Sequence, residues 1–248
     1  MELIGRSGNP TLRDDTFERP EIYHGMEVMT INGTVNKAFI TLIILIGSAF
    51  STWMLYFDGY NVLPMAIGGA LVGFVLALIT SFKPKAAPFL VPIYAIAEGM
   101  FIGAISAQYE WRTGGITLQA VLLTMGVFLA LLLAYKTRLI KATENFKLGV
   151  FAATGGIALV YIISIVLSFF GIRMPYLHES TWVGIGISLV IVIVAALNLV
   201  LDFDFIENGA EQGAPKYMEW YGAFGLMVTL VWLYLEMLRL LAKLSSRD

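Results

Sequence analysis

The sequence predicts an all-α membrane protein with seven transmembrane helices. Two observations carry this. Hydrophobic residues make up 58% of the 248-residue chain and charged residues only 14%, where a soluble domain carries roughly a quarter charged. The apolar residues also fall in seven runs, each near the roughly 20 residues a helix needs to cross the hydrocarbon core. Unpaired backbone groups are too costly in lipid for open strands, so the runs are read as helices.

Residues 1–33 are polar, carry Asn9-Pro10 and Arg6, Arg13 and Arg19, and are expected to form a loosely ordered aqueous tail. They lack the basic-then-apolar pattern of a secretory signal, so the membrane segments themselves are expected to direct insertion. Residues 34–244 are expected to form one seven-helix domain, with spans at 34–57, 62–82, 87–108, 117–136, 147–170, 181–203 and 217–241. Local breaks separate them. Lys83-Pro84-Lys85 divides the second span from the third, and Arg112 to Gly115 the third from the fourth. Arg138 to Asn145 is a charged turn, Gly171 to Pro175 ends the fifth span, and Gly209 to Pro215 divides the last two. The last helix is expected at the centre of the bundle. Small residues at Gly68, Gly69, Gly73, Gly99, Gly103, Gly184 and Gly186 are read as points where helices approach closely.

Orientation follows from the positive-inside bias. With a cytoplasmic N-terminus, the inside segments hold Lys37, Lys83, Lys85, Lys136, Arg138, Lys141, Lys147 and Lys216, besides the three tail arginines. The outside loops hold Arg112 and Arg173. Arg239, Lys243 and Arg247 break the trend, and a re-entrant last segment would remove the exception. Trp53, Trp111, Trp182 and Trp220 lie near predicted boundaries, as interfacial aromatics do.

A net charge of -2 gives no broad basic field for nucleic acid. Without cysteine there is no thiol nucleophile, disulfide or thiolate metal site. His24 and His178 both lie outside the apolar runs, so no membrane Ser/His pair exists. The Gly-x-Gly-Asp context of intramembrane aspartyl proteases is absent, as are Walker and Rossmann loops. The chain is therefore expected to be no enzyme and to need no cofactor. No internal repeat is visible, which argues against a repeat-built transporter.

Ionisable groups inside a membrane are costly and mark candidate sites. Four stand out: Glu98 in the third span, Asp202 and Asp204 at the end of the sixth, and Glu236 in the seventh. No Lys or Arg lies deep enough to neutralise them, with Lys37 and Arg239 near span ends and able to snorkel. Low dielectric favours the neutral carboxyl, neighbouring carboxyls titrate as a unit, and ionised ones attract hard cations such as Ca²⁺. Such groups point to proton or cation handling. Each also has a structural reading: Asp204 and Glu207 as solvated end positions, Asp202 as a structural group, Glu98 as a protonated group bonded to a backbone carbonyl. Counting residues from the predicted boundaries puts Asp202 near the inner surface and Glu236 toward the outer one. The two meet only if the sixth helix continues past Asp202, or if 215–225 lie along the interface.

Three segments resemble the Bax inhibitor (TMBIM) family. Leu233-Tyr234-Leu235-Glu236-Met237 is similar to the family's last helix, where aspartate stands at the acidic position. Asn198-Leu199-Val200-Leu201-Asp202-Phe203-Asp204 is similar to the end of its sixth, where threonine and glutamine follow the aspartate. Ala97-Glu98-Gly99-Met100-Phe101-Ile102-Gly103 looks like the small-residue motif of its third. The polar tail looks most like the bacterial branch. The resemblance implies a pH-sensitive passive Ca²⁺ leak, with Asp202 and Glu236 as a proton-shared pair that latches the sixth and seventh helices and transiently holds Ca²⁺. Asp204 is the alternative partner of Glu236, and Glu98 is a candidate for the ion path. The expected partners are lipid, Ca²⁺ and protons, in a plasma (inner) membrane. The rival expectations are a proton-coupled transporter and a non-transporting regulator of a membrane protease.

Overall fold

The computed structural model describes residues 27–172, 174 and 179–246. Those residues form seven α-helices: α1 (Ile31–Phe57), α2 (Leu63–Phe82), α3 (Ala87–Arg112), α4 (Ile116–Lys136), α5 (Glu144–Phe169), α6 (Trp182–Glu211) and α7 (Met218–Ser245). All seven are long and apolar enough to cross a membrane. Arg6, Arg13, Arg19, His24, Arg173, His178 and Arg247, which figured in the sequence reading, lie outside the described residues.

Helix starts follow local chemistry. Thr30, Thr143 and Thr181 cap α1, α5 and α6, each accepting from a backbone N–H three residues on, which satisfies a donor that has no intrahelical partner. Proline opens both α2 and α3, where its fixed φ suits a first turn. The α6–α7 turn uses Gly213 at φ +66°, a backbone that costs glycine little.

The polar tail ends earlier in the chain than predicted, since α1 starts at Ile31 rather than 34. Met29 N–H donates to Ala214 O, and Lys216 N–H donates to Glu27 O. Residues 27–30 are therefore laid against the α6–α7 turn rather than loose. α6 also runs eight residues beyond its predicted end at 203, to Glu211. Asp202 thus sits inside a helix rather than at its end, nine residues before Glu211.

α7 is the most buried of the seven helices and packs against α6, α1, α4 and α3. Its first turn touches the start of α1 through Glu219 and Thr30. Its last turn touches the start of α6 through Lys243 and Gly184. α7 therefore crosses the full depth of the bundle, and its end lies on the face opposite the start of α1. A re-entrant last segment is ruled out by this contact pattern.

Glycine sets the tightest approaches. A Cβ on Gly103 would fall within 3 Å of the Ala49 backbone of α1, and one on Gly99 would lie 2.7 Å from Ser48 Cβ. Gly69 and Gly73 do the same for α2 against α3. Gly68 and Gly186 meet open space instead, so the close-packing reading holds for four of the predicted positions and not for those two. α5 packs chiefly against α6, with only Val150 and Ser164 of its residues buried.

Candidate functional site

The polar groups of the interior are strung along α7 at four levels. The lowest is Glu219, fully buried in the first turn. It accepts from Thr30 N and Thr30 Oγ1, both at 2.9 Å, and forms ion pairs with Lys37 of α1 and with Lys216, the latter at 3.3 Å. A buried carboxylate is tolerated when paired and fully hydrogen-bonded, and this one ties α7 to the start of α1.

The second level is Asp202. It reaches from α6 to α7, where the Thr229 hydroxyl lies beside its carboxyl and Gly225 leaves room for it, a Cβ there standing 3.6 Å from Asp202 Oδ1. Asp202 Oδ2 is buried and has no hydrogen-bond partner. No described cation pairs with this carboxyl.

The third level is Glu236, 2% exposed. Arg239 Nη1 donates to both its oxygens at 2.8 and 2.9 Å, and Tyr161 Oη of α5 donates to Oε1 at 2.8 Å. The expectation that no basic residue neutralises these carboxyls fails here and at Asp204, which pairs with Lys147. Arg239 and Lys37 turn inward to pair instead of snorkelling outward, because each finds a buried anion within side-chain reach. The fourth level is Lys243, 4% exposed, whose ammonium donates to Gly184 O at 3.0 Å and Ser188 Oγ at 2.8 Å.

Asp202 and Glu236 do not meet. Thr229, beside Asp202, precedes Glu236 by two helical turns, about 10 Å along the axis. The continuation of α6 past Asp202 brings that residue to α7, but at a lower level than Glu236. Asp204 does not replace it. It faces α5 and accepts from Lys147 Nζ at 2.9 Å and Asn208 Nδ2 at 2.8 Å. Next to it Glu207 pairs with Arg138 at 2.7 Å and accepts from Tyr135. Asp204 and Glu207 are therefore an ion-paired collar joining the ends of α4, α5 and α6. Glu98 faces α2 across Gly73, whose Cβ would stand 2.9 Å from Glu98 Oε2, and no described residue bonds to it. Among the described residues no three His, Asp or Glu side chains gather as a metal site.

Sequence reasoning missed Glu219, Lys243, Tyr161 and Thr229. Part of the signal was present. Glu236, Arg239 and Lys243 follow at i, i+3 and i+7, one face of a helix, and Lys216 and Glu219 are also three apart. Tyr161 and Thr229 carried no such mark, because their partners come from other helices.

The fold and this interior define an integral membrane protein of seven helices, with a polar-studded central helix and no soluble domain among the described residues. The family profile described as Bax inhibitor 1 like matches residues 9–246, and the chain belongs to that family. No curated protein and no solved structure matched.

Proposed function

We propose that the chain is a pH-sensitive passive leak for Ca²⁺ or a similar cation, with its gate at the α6–α7 seam. The observation that carries this is the buried, partnerless oxygen of Asp202 between two packed helices. Ionised, it is an anion in a low-dielectric seam without a cation beside it, which costs several kcal/mol. Neutral, it is compatible with the closed packing. Loss of the proton therefore favours a state in which α6 and α7 separate and water or a cation reaches the carboxylate. A gap of a few kcal/mol between two such states is enough for a switch.

The proton-shared pair of the sequence reading becomes two separate devices in this proposal. Asp202 senses protons, and the Glu236–Arg239–Tyr161 cluster holds α7 to α5 on the other side. Leu230 and Leu233, buried between the two levels, close the path.

The N-terminal face is assigned to the cytoplasm, in a plasma (inner) membrane as in the bacterial branch the tail resembles. Its loops and helix ends carry Lys83, Lys85, Lys136, Arg138, Lys141, Lys147 and Lys216. On the opposite face Arg239 and Lys243, which broke the trend, are used inside the bundle.

The test is Ca²⁺ flux into dye-loaded proteoliposomes between pH 5 and 8. Flux should rise with pH in the parent and stay low and flat in Asp202→Asn. Flux no greater than in protein-free vesicles at every pH, from folded protein, overturns the leak and leaves the regulator reading. Flux that needs a co-substrate and moves protons with it means a proton-coupled transporter.

A further inference from the structure

A cavity of about 280 Å³ opens between α1 and α4, with α3 and α7 as its floor. Its lips are exposed: Ile46 and Phe50 at 55% on α1, Val121 at 40% on α4. Both helices present apolar side chains outward along the membrane-crossing length, so the mouth faces the hydrocarbon of the bilayer rather than water.

Apart from the Trp53 indole N–H, the lining offers nothing to a polar occupant. Ser106 and Tyr234 hydroxyls bond to each other at 2.7 Å. Thr117 donates to Ser106 O and Thr124 to Ala120 O. Every hydroxyl on the wall has its partner within the protein, and apart from the Trp53 N–H at one end the rest of the wall is apolar. Water here would have too few partners to be held, whereas an apolar chain would recover the dispersion contacts that an empty cleft forfeits.

The shape fits one hydrocarbon tail. The wall on α1 runs from Leu42 to Trp53, eleven residues or about 16 Å along the helix axis. Trp53 lies four residues before the end of α1 at Phe57, near the level where a lipid's glycerol esters sit. Its indole N–H is buried and has no hydrogen-bond partner. A small rotation of the ring would give that donor to an ester carbonyl at the mouth. We propose that this fissure binds one acyl chain of a membrane phospholipid, with the ester carbonyl at Trp53 and the tail running inward along Ala49, Leu45 and Leu42 against α7. The occupant would touch Met227, Leu230 and Tyr234, so it packs on the central helix on the side away from α6.

The experiment is native mass spectrometry of the full chain, reconstituted in dioleoylphosphatidylcholine vesicles and released into mild detergent. One retained phospholipid per chain is expected. Val121→Phe fills the fissure from its lip and should lower retention at least fivefold. Leu118→Phe, on the exposed face of α4 outside the fissure, should leave it unchanged. Trp53→Phe keeps the ring but removes the donor and should lower retention about fivefold, the worth of one hydrogen bond.

A second measurement guards against a poorly folded Val121→Phe chain. In a variant keeping Trp53 as its one tryptophan, lipids brominated on the acyl chain should quench its fluorescence in detergent at one or two added lipids per chain. No retained lipid and no such quenching overturns the proposal. So does equal retention in the two Phe variants, a retained free fatty acid in place of phospholipid, or a dimer that closes the fissure without lipid.

Discussion

Asp202 meets α7 beside Thr229, while Glu236, two turns further along the same helix, is held by Arg239 and Tyr161. One carboxyl lacks a cation and the other has one. About 10 Å of helix lies between them, filled by buried apolar side chains such as Leu230 and Leu233. Two groups in this arrangement act separately.

That separation makes a direct prediction. Sites with no shared partner add in stability to within about 0.5 kcal/mol. Asp202→Asn and Glu236→Gln, combined, should change the unfolding free energy by the sum of their single effects. A proton-shared pair would instead show a large coupling. Denaturant unfolding in mild detergent measures the cycle, and coupling above about 1 kcal/mol would restore the pair.

Thr229 is the polar neighbour of Asp202 on the central helix. Thr229→Val keeps the side-chain shape and removes the hydroxyl. The expected loss is about 1 kcal/mol, the net worth of one hydrogen bond, read as a lower melting temperature. In Asp202→Asn protein the same substitution should cost a different amount, because the carboxyl partner is gone. Identical costs in both backgrounds would mean that Thr229 does not act on Asp202.

Lys37 and Glu219 join α1 to α7 at the N-terminal face. Lys37→Met leaves a fully buried carboxylate with Lys216, which is 40% exposed, as its remaining cation. Breaking a buried pair costs about 3–5 kcal/mol, and the partial exposure of Lys216 puts the expectation near the lower end, about 3 kcal/mol. Hydrogen exchange at Met29 and Thr30 should rise along with it, since Glu219 accepts from Thr30 N–H. A neutral Lys37→Met would show that Lys216 alone compensates.

The glycines supply an internally controlled test. Gly103→Ala drives a methyl into the Ala49 backbone of α1, whereas Gly156→Ala meets nothing within 4 Å. Overpacking costs about 1–3 kcal/mol, so Gly103→Ala should lower the melting temperature clearly. Gly156→Ala should raise it slightly, because alanine is the better helix former. Equal effects would mean that α1 and α3 are not held in contact there.

The order of residues alone carried the seven crossings, their approximate limits and the membrane as solvent, because lipid demands a long apolar run for each helix and composition records those runs directly. It also determined which residues are expensive enough to need a reason: Glu98, Asp202, Asp204 and Glu236. It could not say what each one touches. Helix ends near polar residues are weakly marked in apolar sequence, so the eight extra residues of α6 went unseen, and with them the level at which Asp202 meets α7. Only the tertiary structure brought Lys37 to Glu219 and Tyr161 to Glu236. Those partners are 182 and 75 residues apart in the chain, and no local periodicity encodes a contact made by packing one helix against another.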